Sequence, residues 1–217
     1  MVSKLISRCR HLSCLLFLWV GFIGLSYPAV EAGKDFVEAQ RSTLIVPGKI
    51  EVLEFFFYGC GGCYQMQPDL DMWFQRNKDR VLRRRVPVAT RSPWESLARL
   101  YFRLERTNLI MGLHGAVFKA IHEESISLKG DDNQIRWISE KGLSISSEEF
   151  FGDERAVDER IRQANALVER YGVVVTPTLV IGGNYLTTGG MIGRSERLPL
   201  VLDALVDKAL LMQGQGR

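Results

Sequence analysis

The chain has 217 residues, of which 46% are apolar and 24% charged, with a formal charge of +3. That length and balance fit one globular domain with room for an insertion, and exclude a disordered chain, a collagen-like fibre and a multi-span membrane protein. Four cysteines are too few to staple a disulfide-dense scaffold, so burial of apolar surface is expected to hold the fold.

Lys4, Arg8 and Arg10 precede an apolar run from Leu12 to Leu25, and Val30-Glu31-Ala32 supplies the small residues of a cleavage site. This is the layout of a secretory signal peptide, and the run is shorter than the roughly 20 residues that span a bilayer. Residues 1–32 are therefore read as a leader, cut after Ala32. Its removal leaves 25 basic and 24 acidic side chains, which removes any electrostatic case for nucleic acid. Cys9 and Cys14 leave with it. Cys60 and Cys63 remain, in an oxidising compartment.

Val37 to Val46 holds a short leading strand, and Pro47-Gly48 a turn. Ile50 to Tyr58 is a nearly unbroken β-branched and aromatic run, expected as a central strand buried on both faces. After Gly59–Gly62, helical spacing begins at Tyr64, Met66, Leu70, Trp73 and Phe74, with Pro68 inside the helix. Arg83 to Ala89 is a second strand with Pro87 near an edge or end, and Arg83, Arg84 and Arg85 read as solvated positions flanking it.

Capping boxes at Ser92–Glu95, Asp131–Gln134 and Ser146–Glu149 open helices, and another runs from Leu109 to Glu124. A longer helix spans Glu154 to Tyr171 and stops at Gly172. Strands Thr178–Ile181 and Tyr185–Thr188 form a hairpin about Gly182-Gly183-Asn184, and a last helix covers Ser195 to Met212. His114 and His122 show no partnering ligand pattern and read as ordinary core or surface residues. Trp73, Trp94 and Trp137 read as core.

The chemistry is concentrated in Cys60-Gly61-Gly62-Cys63, where the buried strand turns into a helix. Free N–H groups at a helix N-terminus favour a thiolate, so Cys60 is expected to be the nucleophile and Cys63 the buried resolving thiol. A purely structural disulfide or half a zinc site are the competing readings. No further cysteine remains after cleavage to complete a zinc site.

Here the sequence resembles the thioredoxin superfamily, and within it the periplasmic DsbA-like disulfide oxidoreductases. Three features carry the resemblance: Val52-Leu53-Glu54-Phe55-Phe56 with Glu54 six residues before Cys60, Pro68 five residues after Cys63, and Val175-Thr176-Pro177-Thr178 leading into a strand. The resemblance implies an α/β thioredoxin fold with an inserted helical domain, divided as 33–90, 91–152 and 153–217. The 117 positions from Cys60 to Pro177 leave room for that insertion after one βαβ unit of roughly 30 residues and one further helix.

The resemblance also implies roles. Cys60, Cys63, Glu54, Thr176 and Pro177 form the catalytic set, with Glu54 beneath the disulfide, exchanging a proton with Cys63 through water at a raised pKa. Pro177 is cis and presents Thr176 to an extended substrate. The ordinary alternatives are a solvent-facing Glu54 and a trans Pro177. No cofactor or metal is expected beyond the redox-active Cys60–Cys63 disulfide. The partners are reduced or unfolded exported proteins and a quinone-linked membrane oxidase of the DsbB type, with the enzyme acting as a periplasmic monomer. Gly189-Gly190-Met191-Ile192 is a candidate exposed apolar receiving loop.

The chain departs from the family's strongest oxidants in having two glycines between the cysteines and Thr before Pro177. An intermediate oxidant is therefore expected, roughly −130 to −210 mV. The alternatives are an isomerase or reductase of the same fold, and a non-catalytic binding or chaperone module.

Overall fold

The computed structural model describes residues 30–39 and 48–215. Most of the leader, the remainder of the first expected strand and Pro47 lie outside them. The described elements run β1 (Val37–Glu38), β2 (Ile50–Phe56), α1 (Gly61–Arg76), β3 (Val81–Pro87), α2 (Ser92–Arg106), α3 (Ile110–His122), α4 (Asp131–Glu140), α5 (Ser147–Phe151), α6 (Glu154–Arg170), β4 (Thr178–Ile181), β5 (Tyr185–Thr188), α7 (Gly189–Ile192) and α8 (Leu198–Gln215).

The strands form one sheet in the order β1-β5-β4-β2-β3. Among the described strands only β2 and β3 pair in parallel, as a crossover connection through α1 requires. β4 and β5 are antiparallel, joined at Gly182 and Gly183, which both take the positive φ of the tight hairpin turn. Pro87 is the last residue of the edge strand β3, where a missing N–H costs least.

Side-chain alternation in β2 divides the core. Val52 joins Leu70 and Trp73 of α1 and Leu202 and Leu205 of α8 on one face. Leu53 and Phe55 join Leu97, Leu100, Val157 and Ile161 of α2 and α6 on the other. Trp73 and Trp137 are buried; Trp94 is only half-buried and stacks on Phe57 with centroids 4.4 Å apart.

Helices α2 to α5 are inserted between β3 and α6, and Arg103 ties them down. It is 3% exposed, grips Glu154 with two hydrogen bonds of 2.8 and 2.9 Å, and reaches Asp131 and Gln134. This use of Asp131 corrects one expected cap: α4 starts after Gly130, with no side-chain cap, because the carboxylate of Asp131 serves Arg103. The cap of α2 is likewise Arg91 rather than Ser92, and Glu95 turns to Arg99. Ser146 and Asp153 do cap their helices, accepting from Glu149 N and Ala156 N.

Two further expectations change. Gly189–Ile192 is a helical turn whose Ile192 lies wholly in the core, so it is no exposed apolar loop. Arg83 and Arg85 are not solvated: their side chains are 15% and 16% exposed and ion-paired beneath α1. At the other end, Val30 packs on the α1/α8 core and Glu31 N donates to Asp35 Oδ2 at 3.0 Å.

Candidate active site

Cys60 is the N-cap of α1, and its sulfur accepts from the Cys63 backbone N–H at 3.2 Å. Both cysteines are free thiols; Cys60 is half-buried and Cys63 buried. A Cβ at Gly62 would lie 3.4 Å from the Pro177 ring and 3.9 Å from Cys60 Sγ, ordinary van der Waals distances that place Gly62 directly against the cis-proline loop. A Cβ at Gly59 would meet the tip of the Phe57 ring at 2.6 Å, so a side chain there requires that ring to move.

The Thr176–Pro177 bond is cis, and Cys60 Sγ lies 3.2 Å from the Thr176 carbonyl. Pro177 O accepts from Gly189 N at 3.0 Å, which seats α7 beside the loop. Val174 is 89% exposed and Val175 52% exposed, so this edge carries apolar surface next to the dithiol.

The two thiols are electrostatically unequal. The Cys60 pKa is lowered to about 5 by the hydrogen bond from Cys63, then by the Thr176 side chain and the backbone N–H groups of Cys63 and Gly62, against an opposing effect of burial. The Cys63 pKa is driven far up by the hydrogen bond to Cys60, by burial and by the negative charge of Cys60. One is poised as nucleophile and leaving group, the other as a proton-bearing partner.

Glu54 is 2% exposed on the α1 face of β2. Its Oε2 accepts from Arg83 Nε at 2.7 Å and lies 3.5 Å from Arg85 Nε, while Asp71 of α1 also pairs with both arginines. The solvent-facing alternative for Glu54 is thus set aside, and its charge has two partners that the sequence reading did not supply. A cavity of about 590 Å³ borders this cluster, lined by Asp71, Arg83, Arg85, Tyr101 and His114 among others, and neither cysteine lines it.

Two residues near the site, His114 and His122, read from sequence as ordinary core or surface histidines, have specific partners in the structure. His114 is buried and held neutral by burial and by the charges of Arg85 and Arg83; its Nδ1 accepts from Tyr58 OH at 2.9 Å. His122 Nε2 is 2.8 Å from the Tyr58 carbonyl, and its ring stacks on Tyr64. The signal available was the spacing of His114, Phe118 and His122, one stripe of α3.

No protein-family model matches the chain. The thiol:disulfide interchange protein DsbA of Pseudomonas syringae pv. tomato is 31% identical over 182 residues, covering 82% of this chain and 84% of that protein. The chain belongs to the DsbA family. The Burkholderia cepacia DsbA is 27% identical over 210 residues, 93% of this chain and 99% of the relative. The crystal structure of Pseudomonas aeruginosa DsbA superposes with a TM-score of 0.78 at 29% identity, covering 85% of this chain and 96% of that one. The fold is accordingly the thioredoxin fold with a helical insertion, and the protein is a thiol:disulfide oxidoreductase.

Proposed function

We propose that this DsbA family member is an exported, periplasmic, monomeric oxidase that donates its Cys60–Cys63 disulfide to reduced exported proteins. The observation that carries the reading is the seat of the dithiol: Cys60 half-buried at the N-cap of α1, accepting from the Cys63 N–H at 3.2 Å, with Cys63 buried behind it. A substrate thiolate attacks Cys60 Sγ, the Cys60–Cys63 bond breaks, and Cys63 leaves and takes a proton. A second substrate thiolate then attacks the substrate sulfur of the mixed disulfide and expels Cys60 as its stable thiolate. Two electrons and the substrate's new disulfide are thereby exchanged, and no other cofactor is needed. A quinone-linked membrane oxidase of the DsbB type takes the electrons back.

Thr176 and Pro177 line the substrate side of Cys60, where an extended peptide can pair with the loop backbone. Glu54 supplies or relays the proton that Cys63 requires. The Cys63→Ala variant is expected to accumulate mixed disulfides with reduced substrates, resolved on non-reducing gels, while Cys60→Ala accumulates none. Equal trapping by both would sink the assignment of nucleophile.

Processing is the second test. Cleavage after Ala32 gives Gly33 as the first residue by intact mass of the exported protein. That cut removes the contacts of Val30 and Glu31 with the core and with Asp35. A mature chain that begins upstream and keeps them would move the boundary.

A further inference from the structure

We propose that His122 is a positioning residue for the dithiol, holding both shoulders of the Gly59–Cys63 loop from the inserted helical segment. This segment, running from the turn into the first residues of α1, reads Gly-Cys-Gly-Gly-Cys, so three of its five residues are glycine and add no side-chain restraint of their own. Its shoulders are Tyr58 before Gly59 and Tyr64 after Cys63. His122, the last residue of α3, touches both.

A carbonyl oxygen can only accept, so the 2.8 Å contact to Tyr58 O fixes the proton on His122 Nε2. The same imidazole lies flat on the Tyr64 ring, with centroids 4.9 Å apart and planes 6° from parallel. The stripe continues up α3. Phe118 packs edge-on against Tyr58 at 5.0 Å, and His114 accepts from the Tyr58 hydroxyl. Glu123, next along the chain, takes the Tyr64 hydroxyl.

Both tyrosines are thus clamped by one helix that lies outside the strand-helix unit carrying the cysteines. What they clamp matters chemically. The Cys60 thiolate is stabilised by N–H groups of Gly62 and Cys63 and by the Cys63 thiol, all in the glycine-rich first turn of α1, so their directions depend on how the ends of that turn are held. Loosening the ends weakens those donors in the reduced form and makes the protein a poorer oxidant.

The inference rests on Cys60 being the nucleophile, and the test separates the two. In the full-length protein, His122→Phe keeps a ring for stacking without the donor, and His122→Gln keeps a donor at similar reach without the ring. Each is expected to shift the equilibrium with glutathione about three- to tenfold toward the oxidised protein's persistence, and to raise the Cys60 pKa read by thiolate absorbance. His122→Ala, losing both, is expected to exceed either.

Wild-type potential and Cys60 titration in the Phe and Gln variants would overturn the proposal, even if their denaturation midpoints fall, because a merely structural residue lowers stability alone. Failure of Cys63→Ala to trap substrate through Cys60 would overturn the nucleophile reading, and the proposal with it.

Discussion

Equilibration with glutathione buffers at pH 7 is expected to give a potential of roughly −165 to −220 mV. A Cys60 pKa of about 5 leaves the reduced form stabilised by two decades at pH 7. Thioredoxin, with a nucleophile pKa of about 7 and a potential of about −270 mV, is the reference at the reducing end. DsbA, at about 3.5 and about −120 mV, is the reference at the oxidising end. At about 30 mV per decade for two electrons, one reference predicts about −220 mV and the other about −165 mV. Trp94, stacked on Phe57 three residues before Cys60, is the tryptophan expected to report the titration by fluorescence.

The same pKa fixes the pH dependence. Above about pH 5 reduction takes up one proton, on Cys63, because Cys60 stays a thiolate. Below it reduction takes up two. The potential is expected to fall by about 59 mV per pH unit below the break and by about 30 mV above it. Because the folded pKa lies below the unfolded value near 8.5, the stabilisation of the reduced fold is complete above about pH 8.5 and is lost as pH falls to about 5. At pH 7 it is at most about 2.7 kcal/mol, and less once solvent screening at the half-buried sulfur is counted. Thr176→Val, removing one of the contributions to the lowered pKa, is expected to make the protein less oxidising. A potential below about −250 mV would turn the function toward reduction.

The parts of the site that lie along the chain were legible in the sequence. A β-branched run, two glycines between cysteines and a helical stripe place a dithiol at a helix N-terminus by local rules alone, and Gly182-Gly183-Asn184 marks its hairpin. What was not legible depends on register. Arg83, Arg84 and Arg85 look like a solvated triplet, yet alternation sends the first and third to one face. Only the parallel pairing of Glu54 with Arg85 puts that face over the carboxylate, with Asp71 arriving from α1. The cap expected at Asp131 failed for a related reason: its carboxylate is claimed by Arg103, 28 residues away in the chain. His122 likewise acquires meaning only once α3 is docked on the two tyrosines.

Glu54→Gln is expected to lower stability by about 1–3 kcal/mol and to slow reduction and re-oxidation of the dithiol by one to two orders of magnitude near pH 7, as about 10- to 100-fold. Sequence alone argues the opposite sign for stability, since a buried neutral amide costs less than a lone buried charge. The structure reverses that sign because the charge is not alone. Without it, two guanidinium groups that are 15% and 16% exposed keep, among the described residues, only Asp71, itself 48% exposed, as counterion. Arg83 Nη2 and Arg85 Nε already meet no acceptor among the described protein groups, so no spare oxygen can take over. Breaking a buried pair from one side costs about 3–5 kcal/mol; the Gln carbonyl and Asp71 each recover part of it. Urea unfolding of Glu54→Gln, Arg83→Met and the double variant closes the cycle, with the double variant expected to lose less than the sum of the two. The kinetic arm is separate. Cys63 must gain a proton when it leaves and lose one when it attacks, and its raised pKa makes that transfer slow without a nearby acid or base. Stopped-flow rates across pH that match wild type would leave Glu54 as a counterion for the arginines and remove it from proton transfer.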